Sequence, residues 1–200
     1  ANGTVDTSFG TNGVADFMLG SAGSTMLSAV TIQSEGKIVV SGYVATTNAA
    51  PGGWDYDGVV LRLTTSGALD TTFSSDGYEI FDSLTGVSDD HDHFYDVEVD
   101  AGGKIVLVGD ASVSGVVVRL TSTGGLDTSF NSDGIFSETI AGASGKDVLM
   151  ALGLDSGGNI YATGYSDTTA TNTDVAVVKL ADTGALSTRF DSDGYALFDS

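Results

Sequence analysis

The sequence predicts an all-β fold of the β-propeller type, in which four-stranded antiparallel sheets recur about every 60 residues, and three observations carry that reading. The first is a repeated motif. Gly67-Ala-Leu-Asp-Thr-Thr-Phe-Ser-Ser-Asp-Gly77 returns as Gly3–Gly13, Gly124–Gly134 and Gly184–Gly194, keeping its glycines, an aliphatic residue and one phenylalanine. Those phenylalanines, Phe9, Phe73, Phe130 and Phe190, are 64, 57 and 60 residues apart, the length of a supersecondary unit and not of one strand. The second is a pair of β-rich runs around a short Gly-containing turn, present once in every period. The third is that no stretch shows helical periodicity.

The elements follow in order. Residues 1–23 hold one copy of the motif and then Val14–Leu19, expected to be the last strand of a preceding unit. Three full units are expected after it, at 24–83, 84–140 and 141–200. In the first unit, Leu27–Ile32 and Lys37–Tyr43 flank Ser34-Glu35-Gly36, and a Gly-containing turn between β-branched runs reads as a hairpin. The same pair returns as Phe94–Val99 and Lys104–Val108, and again as Leu149–Leu154 and Asn159–Tyr165. Polar segments follow each hairpin, at Val44–Tyr56, Ala111–Ser114 and Ser166–Thr173, and are expected to be loops. Each leads to a third strand rich in β-branched residues, Gly58–Thr64, Gly115–Thr121 and Val175–Leu180. The motif comes next, and after its last glycine a fourth strand is expected at Tyr78–Phe81, Ile135–Thr139 and Tyr195–Phe198.

Composition narrows the partners. Seven basic residues against 27 acidic ones give a formal charge of −20, which repels phosphate backbones and anionic lipid, so neither nucleic acid nor membrane insertion is expected. With no cysteine there is no disulfide framework and no thiolate zinc site. A hydrophobic share of 41% supplies a core. Three units cannot close a ring of the usual four to eight, so self-association or membership of a longer chain is expected.

The hairpin Glu35–Gly42, the third strand ending Leu61-Arg-Leu63 and the motif Gly67–Gly77 together resemble the bacterial delta-60 repeat, and the resemblance covers nearly all of the chain. It implies a β-propeller of largely unknown function in secreted or surface bacterial proteins, hence an extracellular or cell-surface location, and it brings no catalytic residues. Ser187 departs from the pattern where Asp6, Asp70 and Asp127 stand, and Asn159 departs where Lys37 and Lys104 stand. These changes remove the charges that a local ion pair would need in the last unit.

Candidate site residues are few. Arg62, Arg119 and Lys179 share one position and are expected to pair with carboxylates of their own or the next unit, a ring facing a ligand being the alternative. The one non-repeated cluster runs from Asp89 to Asp96 and contains both histidines. At strand spacing His91 and His93 share a face, so Asp89, Asp90, His91, Asp92 and His93 are the metal-site candidates, binding calcium through aspartates or a transition metal through imidazole. Calcium is the cofactor this composition suggests. Trp54 and Tyr56, on the longest polar segment, are the candidate ligand-facing aromatics. No catalytic residue is assigned, because the chain has no cysteine and no nucleophile elbow. The function expected is a structural or binding module for a protein or carbohydrate at the cell surface, and the alternative is a carbohydrate-acting hydrolase or lyase.

Overall fold

The computed structural model describes residues 3–19, 24–46, 55–86, 91–140, 145–169 and 172–199. All regular structure among them is β. Sheet 1 is the meander β1 (Ser24–Ile32), β2 (Ile38–Thr46), β3 (Asp55–Leu63) and β4 (Tyr78–Phe81). Sheet 2 is β5 (Asp92–Val99), β6 (Ile105–Ala111), β7 (Ser114–Leu120) and β8 (Ile135–Glu138), and sheet 3 is β9 (Asp147–Leu154), β10 (Ile160–Thr169), β11 (Asn172–Leu180) and β12 (Tyr195–Phe198). Neighbouring strands pair antiparallel throughout.

Two of the polar segments differ from the expectation of loops. Asp55, Tyr56 and Asp57 pair with Thr46, Ala45 and Val44, so Tyr56 lies in a strand. Ser166 and Asp167 likewise pair with Asp174 and Thr173. Backbone pairing extends these hairpins through residues whose side chains give no hydrophobic alternation, because a ladder needs only the amides and carbonyls that every non-proline residue carries.

The sheets stack face to face, and the motif fastens each to the next. Val39, Val60 and Phe73 of sheet 1 share a core with Phe94, Val97, Ile105 and Leu107 of sheet 2. Val106, Val108, Val117 and Phe130 of sheet 2 share another with Ile160, Ala162 and Val178 of sheet 3. Phe73 and Phe130 have no exposed surface. The Phe73 ring lies against Gly124, which has φ +99° and where a Cβ would come within 3.0 Å of the ring, so glycine is required on both counts. Beside each phenylalanine a backbone amide crosses to the following sheet, Ser74 to the Thr123 carbonyl at 2.9 Å and Asn131 to the Thr183 carbonyl at 2.8 Å.

The buried cations complete the fastening. Arg62 Nε meets Asp70 Oδ2 at 2.8 Å, its Nη1 donates to the Ser122 carbonyl of the next unit, and its Cζ lies 5.0 Å from the Phe73 centroid. Arg119 does the same with Asp127 at 2.7 Å, the Asp182 carbonyl and Phe130. Lys37 and Lys104 also reach these aspartates, at 3.0 and 2.8 Å. Burial works to raise the Asp70 carboxyl, but Thr72, Lys37 and Arg62 outweigh it and hold the group well below the usual carboxylate range. Asp127 is held down in the same way by Lys104, Ser129 and Arg119. In sheet 3, where Ser187 replaces the aspartate, Lys179 lies 4.7 Å from the centroid of the Tyr161 ring instead. The shared cation position is therefore structural in the first two sheets.

Candidate functional site

The opposite rim, where β5 and β9 begin, does not repeat. His93 lies on β5, paired across the ladder with Asp110 on β6, and its Nδ1 is 3.5 Å from Asp110 Oδ2. Lys146, just ahead of β9, places its Nζ 2.7 Å from the same oxygen. The bulge between Phe94 and Asp96 inserts Tyr95, whose ring stacks on His93 at 6.0 Å between centroids and whose phenol interacts electrostatically with Asp110. Bulges of this kind re-aim a side chain at the end of a ladder.

Asp110 is fully buried. Burial pushes its carboxyl up, yet the neighbouring His93, Lys146 and Tyr95 side chains prevail and hold it below the ordinary value, so it is a carboxylate at neutral pH. The Tyr95 phenol is raised, by burial first and then by the neighbouring Asp110 carboxylate. From sheet 1, Tyr43 meets the His93 ring edge-on at 4.5 Å, and Tyr56 lies 5.1 Å from His91 and 5.7 Å from His93. One polar and aromatic belt thus crosses all three sheets: Tyr43 and Tyr56, then His93, Tyr95 and Asp110, then Lys146.

The sequence candidates fall unevenly around this belt. Asp89, Asp90 and Trp54 lie outside the described residues. His91 is exposed, and its ring centroid is 6.1 Å from that of His93. Asp92 is buried, and its Oδ2 accepts hydrogen bonds from the backbone amides of Ser83 and Leu84 at 2.9 and 3.1 Å. Asp147 makes the equivalent bond from Ile140 in the next unit, so this aspartate fastens the turn into sheets 2 and 3. Tyr56 joins the histidines. Tyr43, Tyr95, Asp110 and Lys146 were not singled out in the sequence, since no local pattern links them. The available signal was that Asp110 stands at a repeat position held by tyrosine, Tyr43 and Tyr165, in the other two units.

Among the described residues, the one grouping of three metal-ligating side chains with ligand atoms all within 4.8 Å of one another is Asp55, Asp57 and Asp82. Asp55 and Asp57 project from β3 two residues apart, on the side opposite Tyr56. Such an all-carboxylate set suits a hard cation such as calcium, whereas imidazole suits a borderline one such as zinc. A cleft of about 740 Å³ lies at the hairpin rim between sheets 2 and 3 and includes Glu98, Lys104, Arg119, Asp155 and Asp182 in its lining. Burial raises the Glu98 carboxyl.

Residues 33–73 and 103–130 match a family model described as "Domain of unknown function (DUF5122) beta-propeller". The chain is similar to a β-propeller repeat family of unknown function. The matched stretches run from the first hairpin turn to Phe73 and from the second hairpin turn to Phe130, and so contain both Arg–Asp–Lys groups and the first seven residues of the motif. No curated protein matches the chain.

Proposed function

We propose that this protein is a structural and binding module, a β-propeller scaffold of the delta-60 type that presents its non-repeated rim to a carbohydrate or protein at the bacterial cell surface or outside the cell. The observation that supports this is the contrast between the two rims. At the hairpin rim, Arg62–Asp70–Lys37 and Arg119–Asp127–Lys104 are copies of one arrangement and serve packing. At the other, Tyr43, Tyr56, His91, His93 and Tyr95 form a contiguous aromatic group beside a buried carboxylate and a lysine whose side chain is partly exposed. Aromatic faces flanked by hydrogen-bonding charges are suited to sugar rings and to polar peptide segments alike.

Calcium assists in this reading through the aspartates of residues 89–92 or of the Asp55 group. The chain's acidity and lack of cysteine agree with an extracellular location. An equilibrium titration against a panel of immobilised glycans and cell-wall fragments tests the proposal. Binding that His91→Ala and Tyr56→Ala weaken at least tenfold is expected, and indifference to both substitutions would remove the rim from the account.

A second reading, a carbohydrate-acting hydrolase or lyase, rests on the hairpin-rim cleft. There the raised Glu98 carboxyl has the character of a general acid and stands among further carboxylates. Release of reducing ends from a polysaccharide, abolished by Glu98→Gln, would establish it.

A further inference from the structure

The two grooves at the hairpin rim are built alike and filled differently. The turn between the first two strands has the same length and bonding in every unit: the amides of Gln33, Asp100 and Asp155 donate to the carbonyls of Lys37, Lys104 and Asn159. Gln33 and Asp100 therefore stand at one repeat position, each lining the groove to the following sheet.

Between sheets 1 and 2 the groove carries its own plug. Gln33 is buried, its Oε1 accepts from Arg62 Nη1 at 3.3 Å, and its Nε2 donates to the Gly103 carbonyl of sheet 2 at 3.2 Å. Arg62 Nη1 also donates to the Ser122 carbonyl. One planar carboxamide thus accepts from a buried guanidinium and donates to a backbone carbonyl across the groove. The space left beside it is about 380 Å³.

Between sheets 2 and 3 the same two partners stand without the plug. Arg119 Nη1 donates to the Asp182 carbonyl, as Arg62 does to that of Ser122. Among the described residues, no side chain takes the place of the Gln33 oxygen on Arg119 or of the Gln33 nitrogen at the Gly158 carbonyl, the counterpart of Gly103. Asp100 is one methylene shorter than glutamine, and its Oδ1 is held in its own turn by the amides of Gly102 and Lys104 at 2.8 and 2.9 Å. Arg119 is 6% exposed and yet lines this cleft together with Gly158, and the space is about 740 Å³. A buried donor and an acceptor left open in one cleft favour a group that serves both at once.

We propose that the cleft between sheets 2 and 3 binds the carboxamide of a glutamine side chain presented by a peptide, seated as Gln33 is seated in the neighbouring groove. Its oxygen accepts from Arg119 Nη1 and its nitrogen donates to the Gly158 carbonyl. A carboxylate cannot serve both partners, since it has no hydrogen for the carbonyl, and Glu98, Asp100 and Asp155 in the lining repel it. The same carboxylates favour basic residues beside the glutamine. An N-acetyl sugar also carries a carboxamide, but its nitrogen is bonded to a ring carbon, whereas the group that the fold itself uses ends a methylene stem. The site is separate from the aromatic rim.

Calorimetric titration of the chain with the acetylated, amidated peptide Gly-Lys-Gln-Lys-Gly tests this, with glutamate or alanine in place of the glutamine as controls. One peptide per chain is expected to bind, with affinity at least about tenfold weaker for both controls. The two grooves are then exchanged in character. Asp100→Gln supplies the plug and is expected to abolish binding, while Asp100→Asn, which keeps the turn and is too short to reach, leaves it in place. Gln33→Asp opens the first groove and is expected to raise the stoichiometry to two. Asp100→Gln and Gln33→Asp each bring in the residue native to the other groove, and circular dichroism reads the β fold of every variant. Equal affinity for the glutamate peptide, binding that survives Asp100→Gln, a stoichiometry of one in folded Gln33→Asp, or displacement of the peptide by equimolar N-acetylglucosamine would each overturn the proposal.

Discussion

Phe73→Ala probes the contact that joins sheet 1 to sheet 2. The side chain is fully buried, rests on Gly124 and carries the Arg62 guanidinium over its ring, so its loss empties a volume that cannot refill without moving two sheets. Removal of a buried phenylalanine costs about 3–5 kcal/mol, and the lost cation–π contact adds roughly 0.5–1 kcal/mol. For a chain of this length each kcal/mol corresponds to about 2–4 °C, which gives a fall in melting temperature of roughly 7–24 °C. Phe190→Ala provides the comparison: the same motif residue is only half-buried there, and a cost under about 1.5 kcal/mol is expected. Chemical denaturation of both variants with a common slope measures the difference. Equal costs would refute the reasoning, because they would mean that the phenylalanine stabilises only its own turn and not the contact between sheets.

Acid provides a second test. The folded Asp70 and Asp127 carboxyls lie below their unfolded value of about 4, so their contribution to stability is complete above that pH and is lost as pH falls through the folded values. Burial shifts Glu98 and Asp147 upward, so their protonation on acidification works in the opposite sense. Asp70→Asn with Asp127→Asn is expected to flatten the decline in stability between about pH 4 and pH 2, and a decline as steep as that of the parent would contradict the assignment. Lys146→Ala should cost about 1–3 kcal/mol by leaving the buried Asp110 carboxylate short of a donor, and Lys146→Ala with Asp110→Asn should recover part of it, both read by thermal melting. Calcium is expected to raise the melting temperature, with the rise abolished by Asp89→Asn together with Asp90→Asn and kept in His91→Ala. A curve that calcium does not move removes the ion from the account.

The sequence carried the strand order because hairpin glycines and β-branched runs are local signals, and because the same signals came three times in one register. It also carried the partners of Arg62 and Arg119: a cation in so acidic a chain, near Asp70 and Asp127 in sequence, has a carboxylate within reach. Tyr56 was misplaced because Asp55 and Asp57 on either side have no β preference, yet their backbones pair with β2. As a consequence Tyr56→Ala, expected from a loop position to cost well under 1 kcal/mol, should cost about 1–2 kcal/mol through lost contacts with Tyr43, His91 and His93. The belt around Asp110 was not legible, since it is assembled from residues on three sheets, and Lys146 has no neighbour in sequence that announces its partner.

The measurement that bears most directly on the binding reading is a comparison of the two rims in one titration. A glycan or cell-wall fragment that binds the intact chain is titrated against His91→Ala, an exposed residue at the aromatic rim, and Glu35→Ala, an exposed residue at the hairpin rim. The account predicts at least a tenfold loss of affinity for His91→Ala, unchanged affinity for Glu35→Ala, and unchanged melting temperatures for both. Loss of affinity in Glu35→Ala with none in His91→Ala would contradict it and move the binding surface to the repeated end of the sheets.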